Sequence, residues 1–328
     1  MTGSDLLTPT ATKTSGAYPL PSQIAVARRT PITATKNKHQ ARRIPGRGCV
    51  PVAGLSIFDP IYLGIDENGR PVYLNLVGRN LLVGGEPGSG KSVLVQNVLG
   101  HAALSGDVRL VLLDGKEVEL GMWEQVADVF VGPDLDLAIA VLRWLQAEIG
   151  RRTAALKQRR LRKITREHGV DIVLVVVDEI ALYAATLGSK DQREEFQILL
   201  RDVVARGRAV GIPVLGATQR PSADIIPTSL RDIFGYRCAF RCTTDVSSDI
   251  VLGFGWAGQG YSAFSIAPED QGIGWLLAEE GRPRRFKAAY LTDADIDDLV
   301  DRATYIRRPQ DTKGTGTRGQ GSRQGWSA

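Results

Sequence analysis

One stretch of this 328-residue chain gathers the residue types that handle phosphate. Gly85-Glu86-Pro87-Gly88-Ser89-Gly90-Lys91-Ser92 fits the pattern G-x-x-x-x-G-K-[ST]. Glycines let the backbone fold tightly enough for successive N–H groups to converge on an anion. A helix that starts at the loop adds its positive end. Lys91 suits the cation that reaches the β and γ phosphates, and the Ser92 hydroxyl suits Mg²⁺. A second constellation follows the apolar run Ile172-Val173-Leu174-Val175-Val176-Val177, which ends in Asp178-Glu179. An unbroken apolar run is what a strand buried on both faces requires. Such strands deliver their carboxyl ends to the ligand crevice. Asp178 can hold Mg²⁺ there through water, and Glu179 can orient and polarise an attacking water. The expected ligands are therefore ATP and Mg²⁺, and the pair suits hydrolysis by water better than transfer to another acceptor.

These groups need a scaffold. Asn80-Leu81-Leu82-Val83-Gly84 reads as a strand running into the glycine-rich loop, with a helix over 93–104 behind it. Strands are expected at 108–113, 172–177, 214–218, 237–241, 274–278 and 286–290, and two short strands around Glu67-Asn68-Gly69. Helices are expected at 136–162 and 193–206, from apolar stripes led by Leu137, Val141, Trp144 and Leu145 and by Phe196, Leu199, Leu200 and Val203. Leu291-Thr292-Asp293 should cap a short acidic helix. Strands alternating with helices predict an α/β fold, a mostly parallel sheet covered by helices on both faces.

Three further segments carry a family resemblance. The run Val204-Ala205-Arg206-Gly207-Arg208-Ala209-Val210-Gly211-Ile212-Pro213 continues through Val214-Leu215-Gly216-Ala217-Thr218 into Gln219-Arg220-Pro221-Ser222. Asp114-Gly115-Lys116-Glu117-Val118-Glu119-Leu120 precedes it, and Arg231-Asp232-Ile233-Phe234-Gly235-Tyr236-Arg237-Cys238-Ala239-Phe240-Arg241-Cys242 follows it. With the two phosphate motifs, this resembles the FtsK/SpoIIIE group of DNA-translocating ATPases over residues 66–300. The subgroup it is most similar to is the conjugal transfer proteins of actinobacterial plasmids and integrative elements, the TraB and TraSA type.

The resemblance implies a RecA-like P-loop NTPase motor. It further implies a ring, expected to be a hexamer, around double-stranded DNA, with ATP between subunits. Gln219 would be the polar sensor of the γ phosphate. Arg206 and Arg208 would be candidates to reach a neighbour's nucleotide, with Arg231, Arg237 and Arg241 competing. The pore loops are expected at 187–192 or 225–229. The family's membrane-spanning region and winged-helix domain are expected to be missing, so membrane-anchored transfer proteins become possible partners.

Composition agrees with a nucleic-acid partner without requiring one. Lys plus Arg number 41 against 36 Asp plus Glu, a net charge of +5. The expected organisation is a disordered basic arm over 1–50, a short β lead-in over 51–77, the motor over 78–300 and a flexible basic tail over 301–328. The segment 151–166 carries Arg151, Arg152, Lys157, Arg159, Arg160, Arg162, Lys163 and Arg166 without an acid, which could serve phosphates or simply face solvent. Cys49, Cys238 and Cys242 form no closed disulfide set, so a reducing compartment is the simpler reading. Cys238 and Cys242 are expected as buried thiols on one face of a strand. No apolar run reaches the ~18 residues of a membrane span, and a cytoplasmic protein, recruited to the membrane by a partner, is expected. Two other functions compete. A protein-transport ATPase of the type VII secretion class would share the motifs, and a non-hydrolysing regulatory module would not need all of them.

Overall fold

The computed structural model describes residues 42–44, 47–50, 54–278 and 281–307. Its strands are β1 (Arg42–Ile44), β2 (Arg47–Val50), β3 (Ile61–Asp66), β4 (Pro71–Leu74), β5 (Leu81–Gly84), β6 (Val108–Asp114), β7 (Val129–Val131), β8 (Ile172–Asp178), β9 (Val214–Thr218), β10 (Tyr236–Phe240), β11 (Ile273–Leu277) and β12 (Arg284–Ala288). Its helices are α1 (Lys91–Ala103), α2 (Leu135–Gln158), α3 (Lys190–Gly207), α4 (Thr228–Arg231), α5 (Asp245–Leu252) and α6 (Asp293–Arg307). β1 and β2 pair antiparallel with each other within the segment expected as an arm. The rest of that arm lies outside the described residues; of the tail expected over 301–328, residues 301–307 belong instead to α6, whose apolar face enters the core, and those from 308 lie outside the described residues.

The other ten strands form one sheet in the order β4-β3-β12-β11-β10-β5-β9-β8-β6-β7. From β10 to β7 every pairing is parallel. These are the apolar runs of the sequence, and β5, β8 and β9 are buried at every position. Their residues serve two cores by turns. Val111, Leu113, Val175 and Val177 pack under α2 and α3 on one face. Leu110, Leu112, Leu174 and Val176 pack under α1 and α6 on the other. That period of two, with both faces apolar, is what a parallel sheet between helix layers demands.

Past β10 the sheet changes sense. β11, β12, β3 and β4 extend it by antiparallel pairing. β4 alternates exposed and buried residues, the mark of a sheet with one face in water. On that wet face Tyr62 and Tyr73 meet edge to face, with ring centroids 5.7 Å apart.

The helices match their expected places with shifted ends. α2 stops at Gln158 rather than 162, because its apolar stripe runs out after Leu156, and Arg160 turns the chain at φ 54. α3 starts earlier, at a capping box in which Ser189 Oγ accepts the Gln192 N–H and Gln192 Oε1 accepts the Ser189 N–H. Thr292 caps α6 as expected, its Oγ1 accepting the Asp295 N–H.

α6 ends on a buried arginine. Arg307 donates to the backbone oxygens of Ala102, Ala103 and Ser105 at the C-terminal end of α1, to Val108 O at 2.8 Å and to Asp128 Oδ2 at 3.1 Å. Carbonyls that end a helix have no partner of their own, so this guanidinium supplies one. Arg307→Ala strips several of them at once. The expected cost is on the order of 3 kcal/mol. Thermal denaturation should show it as a fall of roughly 6–12 °C for a domain of this size.

Candidate active site

β9 lies between β5 and β8, so the loop after β5, the acids at the end of β8 and the Thr218-Gln219 step come together at one end of the sheet. Register makes the placement specific. Gly84 pairs with Thr218, and Asp114 with Asp178.

The loop is tied down on three sides. Gly85 N–H donates to Thr218 O at 3.2 Å, and Glu86 N–H donates to Arg241 O at 2.9 Å. Gly272 N–H donates to Ser89 O at 2.9 Å. Glycine is required where the walls close in. A Cβ on Gly90, which sits at φ 111, would lie 2.5 Å from Gly272 Cα, and one on Gly85 would lie 2.9 Å from Phe240 Cβ. α1 starts at Lys91 with Gly90 as its N-cap, no side-chain cap and no acid in its first turn. Its first N–H groups are left to an outside acceptor. Pro87, Gly88 and Ser92 complete the loop and the first turn, where the sequence placed them.

Lys91 is 2% exposed, and its Nζ lies 2.8 Å from Asp178 Oδ1. Asp178 is 1% exposed, and its Oδ2 is buried with no hydrogen-bond partner among the described residues. A buried carboxylate oxygen without a donor is costly, and a cation beside it removes the cost. Glu179 is 4% exposed and holds a left-handed backbone at φ 58, which is rare for a side chain of its kind. Its carboxylate accepts from Thr218 Oγ1 at 2.9 Å, from the Gln219 N–H at 3.0 Å and from Lys116 Nζ at 3.2 Å. Gln219 thus meets Glu179 through its backbone amide.

Lys116 escaped the sequence reading, which quoted its segment only for resemblance. The signal was present: Asp114-Gly115-Lys116 closes an apolar strand just as Asp178-Glu179 does. Asp114 anchors the turn. Its carboxylate accepts the N–H groups of Lys116, Glu117 and Leu120. Burial pushes this carboxyl above the usual carboxylate range, against the pull of those three N–H groups.

The structure sorts the arginines. Arg206 is exposed and pairs with Asp202 one turn back on α3, with Nε 2.7 Å from Oδ1. Arg208 is exposed and precedes β9. Both lie toward the amino end of that strand, away from the phosphate loop, and neither is brought to this site. Arg231 pairs with Asp232. Arg237 sits on β10, where burial lowers its pKa. Arg241 pairs with Glu86 of its own loop.

Other expectations change too. Arg151 and Arg152 both pair with Glu148, and Arg166 pairs with Asp59. Within 151–166 the exposed remainder is Lys157, Arg159, Arg160, Arg162 and Lys163. Of the two expected pore loops, 187–192 is largely the cap and first turn of α3. In 225–229, Ile225 and Ile226 are core residues. Cys238 and Cys242 are buried free thiols, as expected, but they belong to opposite cores, because Cys242 lies past the end of β10. Among the described residues no helix is long and apolar enough to cross a membrane.

Known proteins share this fold. The structure is similar to that of the pCW3 conjugation coupling protein TcpA, solved as a monomer with ATPγS. The TM-score is 0.65 at 22% identity, covering 76% of this chain and 71% of that one. It is also similar to the cytoplasmic domain of the type VII secretion ATPase EccC of Thermomonospora curvata, with TM-score 0.62 at 23% identity over 76% of this chain and 31% of that one. These likenesses fix the class: an α/β, RecA-like P-loop NTPase fold. In sequence, residues 59–171 match the FtsK/SpoIIIE family. The DNA translocase FtsK of Corynebacterium glutamicum is 30% identical over 263 residues, 72% of this chain and 27% of the relative. The chain carries an FtsK/SpoIIIE family domain. It spans between 26% and 35% of the length of four curated DNA translocases that it matches.

Proposed function

We propose that this chain is the motor domain of an ATP-hydrolysing double-stranded DNA translocase that serves conjugative DNA transfer. One observation carries the enzymatic part. The loop lysine and the two strand-terminal acids meet in one buried cluster beside Gln219. Gly85, Glu86, Pro87, Gly88, Ser89 and Gly90 would cradle the phosphates with their backbone. Lys91 would face the β and γ phosphates. The residues fit magnesium: Asp178 Oδ2 is the buried acceptor without a donor, and the Ser92 hydroxyl lies in the first turn of α1. Magnesium, when bound, neutralises charge that develops on the phosphates. Glu179 would take the hydrogen bond of the attacking water, and Gln219 would register the terminal phosphate.

The names of the relatives support DNA as the track, and the TcpA likeness is compatible with a conjugative setting. Exposed basic residues from Lys157 to Lys163 add a surface that duplex could meet. The acting form would be a closed hexameric ring of identical subunits. Arg206 and Arg208, both exposed and remote from their own loop, would be the candidates to serve a neighbouring subunit's nucleotide. Membrane-anchored transfer proteins would recruit the ring from the cytoplasm.

The test is steady-state ATP turnover without polymer, with single-stranded DNA and with duplex, using Lys91→Ala as the blank. Duplex should stimulate the rate several-fold, and the stimulation should fade as salt rises. A rate that needs Lys91 but ignores DNA would overturn the translocase reading in favour of protein transport, which the EccC likeness keeps in view.

A further inference from the structure

We propose that Lys116 is a positioning residue that holds the Glu179 carboxylate away from the attacking water until the site is ready to hydrolyse. The proposal rests on the reading of this site as an ATPase centre.

A carboxylate offers two oxygens with about four acceptor positions. Here Oε1 accepts from Thr218 Oγ1 at 2.9 Å and from the Gln219 N–H at 3.3 Å. Oε2 accepts from the same N–H at 3.0 Å and from the Lys116 ammonium at 3.2 Å. Both oxygens are engaged, inside a wall that leaves Glu179 almost no exposure. To polarise water, one oxygen must turn an unshared pair toward it. A cation on Oε2 occupies that position and draws electron density from the atom that should receive the proton.

The three donors are not equally removable. Thr218 and Gln219 stand at the end of β9, between two paired strands, and Thr218 is fully buried. Lys116 reaches in on a flexible stem with its side chain 28% exposed. Its root is fixed, because Asp114 Oδ1 accepts the Lys116 N–H at 3.1 Å and Leu182 packs against Gly115. The stem can swing while the turn stays in place. This makes Lys116 the donor that can let go, and a partly exposed ion pair is weak enough to be opened in each cycle.

The test combines kinetics with a measurement on the nucleotide-free protein. Lys116→Met keeps the stem and removes the charge. It should raise the DNA-free kcat roughly two- to fivefold, the range a partly exposed pair supplies, and leave KM for ATP unchanged. Lys116→Arg should restore the wild-type rate. In a Glu179→Gln background, Lys116→Met should change nothing. Independently, acetylation of Lys116 by acetic anhydride, followed by mass spectrometry without nucleotide, should be several-fold faster in Glu179→Gln than in the wild type. A kcat that is unchanged or lowered in Lys116→Met overturns the proposal, and so do equal acetylation rates. A wild-type protein that does not turn over ATP sinks the reading of the site together with the latch. Normal wild-type turnover with an indifferent Lys116→Met sinks the latch alone.

Discussion

Lys91→Ala should abolish ATP turnover, lowering it by on the order of 10²–10³-fold or more, the effect of losing one well-placed group that stabilises transition-state charge. The same variant should also lose stability, for a separate reason. Lys91 and Asp178 are both buried, and their contact is 2.8 Å. Removing one member strands the other charge, at a cost of roughly 3–5 kcal/mol. A melting curve should therefore fall by on the order of 10 °C. The two effects can be separated by a second change. Lys91→Ala combined with Asp178→Asn leaves no stranded charge, so melting should recover most of the loss while turnover stays absent. Turnover that survives Lys91→Ala would remove the site assignment. Turnover that returns with the double variant would mean that instability, rather than a missing cation, had stopped the enzyme.

Glu179→Gln should bind ATP and barely hydrolyse it. Glutamine keeps the shape and one carbonyl acceptor, so the bonds from Thr218 and the Gln219 N–H can persist. It loses the basic oxygen that would receive a hydrogen bond from water as charge develops. General-base contributions are typically about 10²–10⁴-fold, and the loss in kcat should fall there. Affinity for a non-hydrolysable ATP analogue, measured by calorimetry, should stay within a few-fold of the wild type. Loss of binding would instead mark Glu179 as a strut of the site. Its left-handed backbone and its three donors make that outcome a real alternative to test.

The parts of this fold that were legible in the sequence are those written in local chemistry. The phosphate loop is a contiguous pattern, and β8 announces itself because both its faces must be apolar. What was hidden depends on which strands become neighbours. Lys116 touches Glu179 only because β6 pairs with β8 and sets Asp114 opposite Asp178. Nothing within either segment states that pairing. The antiparallel half was hidden for a similar reason. β11 and β12 are short runs, and neither states which strand it will lie beside or in which sense. The basic segment after Arg151 misled by composition, since the acids that neutralise Arg151, Arg152 and Arg166 include Glu148 nearby and Asp59 far back in the chain. Ile225 and Ile226 misled in the opposite sense. Their neighbours look like loop residues, yet these two side chains anchor the segment in the core.

Gly272 joins the two halves of the sheet in a way that bears on force. Its N–H holds Ser89 O at 2.9 Å, its carbonyl receives the Ala288 N–H at 2.8 Å, and its backbone lies flush against Gly90. The phosphate loop is therefore bolted to the start of β11 and the end of β12, and β12 is paired in turn with β3. Slack is missing from that linkage. A shift of the loop would either carry the antiparallel strands with it or break these bonds. The wet face of β3 and β4, with its two tyrosines, lies at the other end of that run of hydrogen-bonded strands from the phosphate loop.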